Sequence, residues 1–460
     1  MSSESGYDLF SCTYGSTSSP TTAVGPVSGT VSSSYSTGVS STSAVVSTSR
    51  YLNFIYEKDS SSASGNDKVV ISNFKICLRT GTYTDKEFAR KVKNIYIGVN
   101  GVARRVKKAY IGVNGIARLF YIIPAMEDGP AVFFSSYNTG SDCYYTAGGN
   151  TNFACFNDGY YNGNPYVYSI NTSGTATVKT ATPYGQTGNI GCHFASYALF
   201  MGAEDYSKYG ITIDTSNTMS TTYFGSGAAR EYMYSMGTGC NAGPLGSKYA
   251  LFPSGGTSSG GTTYLDYMNA SKTWSYTTLS TIMRDCAVAD NGTLAVIAGG
   301  WNSSNKVINT VNTFNTSGTR GTATSLSVAV SEAAGARAGN LAIVAGGSTA
   351  TTEVYANNAY SYNTSGTRTI LTGMAAGRGW HSAASANGKY ALFLGHVREE
   401  TTTRYADIYD SSGTKVNFGK IGYCIGLASL AYVGNKIYYV DDFYIHYDEY
   451  YANTIVVNNI

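Results

Sequence analysis

The side chains most able to catalyse a reaction or bind a metal are few in this sequence and far apart. No two of the four histidines have the local spacing of metal ligands, and they stand as separate residues: His193, His381, His396 and His446. The eight cysteines contain no C-x-x-C pair, so we expect neither a zinc site nor a redox motif. The adjacent carboxylates Glu399-Glu400 and Asp441-Asp442 point to opposite faces if they lie on strands. The sequence therefore predicts no metal, no cofactor and no catalytic acid–base pair.

Motifs of common enzyme classes are also missing. The chain has no nucleophile elbow, P-loop or dinucleotide-binding glycine fingerprint. The segment DSSGT at Asp410 differs from the Asp box of sialidases, because its glycine follows the aspartate by three residues rather than two and the aromatic is missing. We predict a protein that is not an enzyme.

Composition indicates an all-β protein. Charged residues make up only 13% of the 460 residues, well below the roughly 25% of average globular domains. Glycine (53) and tyrosine (41) are abundant, and no convincing amphipathic helix is visible. No apolar run approaches the length of a membrane span. The segment MSSESGYDLFSC lacks the basic and apolar regions of a secretory signal, so we expect no membrane association and a reducing compartment.

A long repeat organises the chain after residue 130. At intervals of roughly 45 residues a strand-like run ends in a small polar turn that begins with Asn or Asp. The side chain of such a residue can bond to the backbone two residues on. An apolar run such as LAVIAGG or YALFLGH comes before most turns, a further strand-like run precedes it, and a fourth follows the turn. The seven turns begin at Asn171, Asp214, Asn269, Asn315, Asn363, Asp410 and Asp448.

Four strands per unit in seven units predict a seven-bladed β-propeller over residues 131–460. The Gly-Gly doublet after the apolar strand resembles the kelch repeat, although three tryptophans cannot supply the one per blade that kelch units carry. We expect GPAVFFSSY (129–137) to be the first strand of blade 1, and YYTAGG (144–149) to be the apolar strand before the loop 150–165. TIVVNN (454–459) is then the last strand of blade 7, with no strand exchanged between the ends of the ring.

The residues before the repeat predict several smaller parts. Residues 1–49, rich in Ser and Thr, predict an extended arm or linker. Residues 50–91 hold the strand-like runs RYLNFIYE and KVVISNFKICL and predict a small β-module. Residues 92–121 predict twin β-hairpins, and residues 122–130 predict a linker to the kelch-like propeller.

The twin hairpins follow from a phrase that occurs twice. YIGVNG at 96–101 returns at 110–115, and Asn-Gly between β-branched residues favours a two-residue hairpin turn. We therefore expect Val99 opposite Val102, Ile97 opposite Arg104 and Tyr96 opposite Arg105, with the same pairing in the second copy.

The doubled phrase resembles a short module in tail and baseplate proteins of bacteriophages that infect Gram-positive bacteria. In those proteins the module lies between an N-terminal attachment region and a variable C-terminal domain. The resemblance covers residues 92–121, and it implies a multi-copy structural protein of the virion that binds other virion proteins through its N-terminal region. The docking candidates are Tyr96, Asn100, Arg104, Arg105, Lys107, Lys108, Tyr110, Asn114 and Arg118.

The segment 86–118 is also the most basic in the chain, with nine Lys or Arg and the single acid Glu87. Three interpretations remain open. The charge can simply be the solvated face of a hairpin and block edge-to-edge aggregation, or it can contact an acidic protein partner. Nucleic acid is the third, which we rank last because no aromatic stacking platform or recognition helix accompanies the charge.

The loops of the predicted propeller suggest where a ligand binds. In a four-stranded antiparallel blade the 1–2 and 3–4 turns share one face, while the 2–3 loops and the blade connections share the other. The Asn/Asp turns are short and uniform, so the irregular loops lie on the opposite face, where Tyr and Trp offer contact area at low entropic cost. We predict a recognition face for a host-surface glycan, with a ligand-free structural propeller and a glycan hydrolase as alternatives. The candidates are Tyr160, Tyr161, Tyr184, Trp301, Tyr355, Arg378, Trp380 and Glu399.

Overall fold

The computed structural model divides the chain into two compact units, residues 1–123 with Ile460 and residues 124–459. Every element in the described residues is a β-strand. The structure describes residues 9–15, 22–23, 51–57, 96–99, 102–105, 108–113, 116–122, 126–135, 145–158, 166–180, 190–201, 209–223, 242–253, 256–257, 260–349, 354–386, 388–395, 406–416, 428–441 and 450–457.

In its described residues the first unit contains three small sheets. One sheet has the order β2-β1-β3, and two hairpins pair β4 with β5 and β6 with β7. The strands are β1 Leu9–Gly15, β2 Thr22–Ala23, β3 Tyr51–Glu57, β4 Tyr96–Val99, β5 Val102–Arg105, β6 Lys108–Val113 and β7 Ile116–Ile122.

The hairpin registers confirm the sequence prediction. Val99 pairs with Val102, and Ile97 pairs with Arg104. In the second copy Ile111 pairs with Arg118, with a register shift further along at Ala109. The predicted arm differs from expectation, because its residues 9–15 pair along their whole length with β3. The second strand-like run of the predicted β-module, residues 68–78, lies outside the described residues.

The strands of the second unit form seven four-stranded antiparallel sheets in the described residues, and we number these blades 1 to 7. The first strands of blades 4, 5, 6 and 7 contact one another in turn, and that of blade 7 contacts that of blade 1. The unit is therefore a seven-bladed β-propeller, as predicted.

The propeller strands begin with β8 Met126–Ser135, which precedes blade 1 in the chain. Blade 1 has β9 Tyr145–Gly149, β10 Phe153–Asp158, β11 Tyr166–Asn171 and β12 Ala176–Thr180. Blade 2 has β13 Ile190–Cys192, β14 Tyr197–Met201, β15 Tyr209–Asp214 and β16 Met219–Tyr223. Blade 3 has β17 Gly243–Leu245, β18 Tyr249–Pro253, β21 Tyr264–Asn269 and β22 Trp274–Thr278, with the inserted hairpin β19 Gly256–Thr257 and β20 Gly260–Gly261.

The remaining blades follow the same plan. Blade 4 has β23 Ala287–Asp290, β24 Leu294–Ala298, β25 Val311–Asn315 and β26 Arg320–Thr322. Blade 5 has β27 Ala334–Ala338, β28 Leu341–Ala345, β29 Ala359–Tyr362 and β30 Arg368–Ile370. Blade 6 has β31 Ser382–Ala386, β32 Tyr390–Leu394, β33 Asp407–Asp410 and β34 Lys415–Val416. Blade 7 has β35 Ala428–Val433, β36 Lys436–Asp441 and β37 Tyr450–Val457.

The hydrophobic core lies between neighbouring blades. Val296 of blade 4 and Tyr360 of blade 5 belong to one buried cluster, and Ile343 of blade 5 and Phe393 of blade 6 belong to the next. A blade packed on both faces needs apolar residues at successive positions, which explains runs such as LAIVA in place of strict alternation. The first strands of blades 5 and 6 are rich in alanine because they pack closely against each other near the axis.

The ring closes in a way that the sequence analysis predicted wrongly. Strand β8 pairs with β37 and is the fourth strand of blade 7, so a strand is exchanged between the ends of the ring. Residues 126–130 belong to this strand rather than to a linker. In blade 1, Tyr145–Gly149 is the first strand, and the predicted loop 150–165 contains the second strand, Phe153–Asp158. The sequence repeat predicts the number of strands, but it does not predict which blade the first strand of the propeller completes.

Six of the seven Asn/Asp turns connect the third and fourth strands of a blade, as predicted. In each, the side-chain oxygen accepts a hydrogen bond from the backbone N–H four residues on, at 2.8–3.0 Å, for Asn171, Asp214, Asn269, Asn315, Asn363 and Asp410. The seventh prediction was wrong. Asp448 lies outside the described residues, between β36 and β37, which are the second and third strands of blade 7.

We expect the substitution Asn315→Ala to lower the free energy of unfolding by about 1–2 kcal/mol. Its Oδ1 accepts from the N–H groups of Ser317 at 3.0 Å and Thr319 at 2.9 Å, and alanine leaves both without this partner. The matched control is Asn315→Asp, since Asp410 makes the same two bonds in blade 6. Denaturant unfolding of the three proteins checks this, and equal losses in both variants would contradict it.

Candidate recognition site at the channel mouth

Three residues in corresponding positions line one end of the ring of first strands. Asp285, Glu332 and Trp380 each stand two residues before the first strand of blades 4, 5 and 6. All three have left-handed backbone, with φ of 53°, 58° and 55°. The N–H of Glu332 donates to the carbonyl of Asp285 at 2.7 Å, and the N–H of Trp380 donates to that of Glu332 at 3.2 Å. We call this continuous rim, on the face opposite the Asn/Asp turns, the channel mouth.

The Gly-Gly doublet of blade 4 brings Trp301 to this rim. Trp301 and Arg284 exchange two backbone hydrogen bonds, at 2.7 and 3.0 Å. The approach requires glycine before Trp301, because a Cβ on Gly300 would lie 2.4 Å from the carbonyl oxygen of Arg284. Gly300 also has φ of 102°, which favours glycine. The doublet therefore places the aromatic directly beside the residue that precedes Asp285.

In blade 5 the residue after the Gly346-Gly347 doublet is Ser348, and its backbone pairs with that of Tyr355. Ser348 pairs with Ser331 on one side and with Tyr355 on the other. A Cβ on Gly379 would lie 2.4 Å from Cε1 of Tyr355 and 3.1 Å from Oε2 of Glu332. The tyrosine ring and the carboxyl group therefore both lie against the backbone just before Trp380.

The structure thus brings together three of the aromatic residues that the sequence analysis singled out, around the channel mouth of blades 4 to 6. Trp301, Tyr355 and Trp380 are all partly exposed. Glu332 is nearly buried, with 7% of its surface exposed. Aromatic rings beside a carboxyl group suit a ligand that has both apolar faces and hydroxyl groups.

The carboxyl group of Glu332 has unusual electrostatics. Burial, and after it the negative charge of the nearby Asp285, together raise its pKa to about 7. Burial and the proximity of Glu332 raise the pKa of Tyr355 as well. At neutral pH Glu332 therefore exists in both protonation states, so it can donate a hydrogen bond to a ligand or accept one.

We predict that replacing Glu332 with glutamine makes the protein more stable above pH 7. The pKa of Glu332 is about 7 in the folded state and 4.5 ordinarily. Protonation of Glu332 therefore stabilises the folded state relative to the unfolded state. That stability is fully present below pH 4.5 and is lost as the pH rises through 7. The melting temperature of Glu332→Gln minus that of the wild type should therefore grow between pH 4.5 and 7 and then level off. A difference that is constant across this range would contradict the assignment.

Arg378, also a predicted ligand contact, lies in the interior. Its side chain has no exposed surface, and its guanidinium donates to the carboxylate of Asp407 and to the carbonyl of Phe393, the latter at 3.2 Å. Lys415 Nζ lies 2.6 Å from Oδ1 of the same aspartate. The arginine therefore connects the entry of blade 6 to its second and third strands, and its side chain is not exposed at the channel mouth.

The other ligand candidates, Tyr160, Tyr161, Tyr184 and Glu399, lie outside the described residues. Of the docking candidates, Asn100, Lys107 and Asn114 also lie outside them. The backbones of the rest belong to the four hairpin strands, at Tyr96, Arg104, Arg105, Lys108, Tyr110 and Arg118.

The histidines do not form a cluster in the described part of the chain. His193 stacks on Tyr432 with ring centroids 3.6 Å apart, and burial lowers its pKa to about 3, which keeps it neutral. His381 is fully buried beside Phe393. Within the described residues, no group of His, Cys, Asp and Glu can hold a metal ion. Nor does this part of the chain contain a helix suited to cross a membrane.

Sequence reasoning missed Asp285 and Glu332. Their position in the repeat could have indicated them. When the sequences of the blades are aligned on their first strands, both residues align with Trp380. Comparison with known proteins adds no assignment: the sequence matches no protein-family model and no curated protein.

Proposed function

We propose that this chain is a non-enzymatic structural protein of a bacteriophage tail or baseplate, and that its propeller displays a glycan-recognition face. The observation that carries the recognition part is that Trp301, Tyr355 and Trp380, from three blades, all lie at the channel mouth. A sugar ring presents an apolar face that stacks on aromatic side chains, while its hydroxyl groups bond to Glu332 and Asp285.

The anchoring part rests on the N-terminal unit. Its doubled YIGVNG phrase resembles the phage module, and the two hairpins have the expected register. The basic residues on their strands offer charge for an acidic partner in the particle. We therefore propose that residues 1–121 attach several copies to the virion. A chain lacking them should be missing from purified particles, and its normal incorporation would refute the anchoring role.

The recognition role is tested with residues 124–460 as a soluble fragment, incubated with host cells and with extracted wall polysaccharide. Trp301→Ala and Trp380→Ala should each lose binding. The matched control is Tyr276→Ala, because this tyrosine is more exposed, at 58%, but lies on the outermost strand of blade 3. Failure of the wild-type fragment to bind any host material favours a purely structural propeller. An equal loss of binding in Tyr276→Ala would show that the channel mouth is not the binding site.

One observation favours a second candidate, a glycan hydrolase. Glu332 has a pKa of about 7, suitable for a general acid, and a second carboxylate, Asp285, lies near it. If this candidate is correct, the protein releases reducing ends from wall polysaccharide, and Glu332→Gln abolishes the release while binding is retained. The recognition proposal expects no reducing ends from either protein.

A further inference from the structure

A cavity of about 360 Å³ lies where blade 7 meets blade 1, away from the channel mouth. Its lining comes from three parts of the chain: the closing strand β8 at Val132, the Asn171 turn of blade 1, and strands β36 and β37. The Asn171 turn places it on the face opposite the channel mouth. Its volume falls in the range of small-molecule sites, at the lower end.

The way in which the ring closes accounts for this cavity. Ala452 of β37 pairs with Val132, but Thr454 pairs with Gly129, so two residues of β8, 130 and 131, oppose one of β37. One of them is Pro130, which has no backbone N–H to give to the ladder. A bulge of this kind bends the strand locally. The bulge therefore lies at the seam between the two blades, next to Thr454, which lines the cavity.

Two buried hydroxyl groups in the cavity have no hydrogen-bond partner. Tyr438 has no exposed surface and Thr454 is 3% exposed, yet neither Oη of the tyrosine nor Oγ1 of the threonine is bonded. Buried polar groups in proteins are nearly always paired. The tyrosine oxygen lies 3.5 Å from the position that a Cβ would take on Gly174. Because this turn residue is glycine, no side chain stands there. Both hydroxyl groups therefore lack the partner that an occupant of the cavity would supply.

The charge of the lining points to the kind of occupant. Among the described residues that line the cavity, Lys436 is the only charged one. Its Nζ donates to the carbonyl of Thr172 at 3.2 Å and lies 3.6 Å from the Cβ position of Gly174, so it stands at the same opening as the tyrosine oxygen. Ser173 adds an exposed hydroxyl group. One ammonium group and three hydroxyl groups together favour an oxyanion that also carries hydroxyls.

We propose that this seam cavity binds a small anionic ligand of about monosaccharide size, a sugar bearing a carboxylate or a phosphate. The ammonium group of Lys436 pairs with the oxyanion, and Tyr438 and Thr454 bond to the sugar hydroxyls. The site is separate from the channel mouth and does not depend on the proposed function.

The test titrates the full-length protein by calorimetry with glucuronate, glucose 6-phosphate and neutral glucose. We expect saturable binding of at least one anionic probe, with glucose much weaker. The two anions distinguish a carboxylate site from a phosphate site. Lys436→Met should weaken the anionic probe roughly tenfold or more, as expected for loss of a charge-assisted bond. The control is Lys248→Met, since this lysine is exposed in a turn of blade 3 on the same face, and it should bind as the wild type does.

Tyr438→Phe supplies an independent readout, because it removes only the unbonded hydroxyl. We expect its melting temperature to equal or exceed that of the wild type while the anionic probe binds several-fold more weakly. The proposal is overturned if none of the three probes binds saturably, as when only water fills the cavity. It is equally overturned if glucose binds as well as the anions, or if Lys436→Met or Tyr438→Phe leaves the affinity unchanged.

Discussion

Removal of residues 1–135 should leave a chain that does not fold cooperatively, whereas removal of residues 1–123 should leave a folded, monomeric propeller. The two truncations differ only by the segment that contains β8. This strand pairs with β37 from Met126 to Ser135, and without it the third strand of blade 7 becomes an open edge.

The closing strand also belongs to two hydrophobic clusters. Met126 packs with Leu430 and Ile455 in the core of blades 6 and 7. Val132 packs against the cluster of blades 7 and 1 that contains Tyr168. Its loss therefore opens the ring on both sides of blade 7. Far-ultraviolet circular dichroism on heating, together with sedimentation, measures the outcome, and a sharp melting transition in the shorter chain would contradict the assigned closure.

The second large effect is expected at the buried ion pair of blade 6. Asp407→Asn should lower the free energy of unfolding by about 3–5 kcal/mol, because it leaves Arg378 charged in the interior without its counterion. Asp407 is 1% exposed, and it also accepts from the N–H of Ala375 at 3.0 Å. The substitution keeps the shape of the side chain, so lost charge dominates the effect.

The matched control is Asp410→Asn, in the same strand, since asparagine already fills this turn position in blades 1, 3, 4 and 5. It should change stability little. In addition, Asp407→Asn combined with Arg378→Met should lose less than the sum of the two single variants, because the second change removes the unpaired charge. Urea unfolding of the wild type and the four variants measures these losses, and additive losses would show that the two side chains are not coupled.

The architecture was predictable because one local rule recurs. An Asn or Asp that accepts two backbone hydrogen bonds fixes the turn between the third and fourth strands, and such a turn can be identified from Asn363-Thr-Ser-Gly without tertiary information. The hairpins were predictable for the same reason, since Asn-Gly specifies both turn and register. The closure of the ring was not predictable from a local pattern. The pairing of β8 with β37 joins segments over 300 residues apart, and it covers the exposed edge of the third strand of blade 7.

The candidate site was predictable in part. The sequence indicates Trp301, Tyr355 and Trp380 as irregular-face aromatics, but it does not show that left-handed backbone and close glycine contacts bring them to one rim. Arg378 looked like a ligand contact because it stands between glycines in a connection between blades. Its burial depends on Asp407, which is 29 residues away, and no local pattern connects the two. Glu332 was missed because its pKa is set by burial, which the sequence does not state.

The central claim, that the channel mouth binds a glycan, is tested most directly by tryptophan fluorescence. The chain has only three tryptophans. The third, Trp274, packs in blade 3 against Phe252, with ring centroids 6.5 Å apart. In the 124–460 fragment carrying Trp274→Phe, all indole emission comes from Trp301 and Trp380. Titration with wall polysaccharide should shift this emission saturably, at the same midpoint as binding measured by calorimetry. Calorimetric binding with unchanged emission would place the glycan elsewhere and contradict the account.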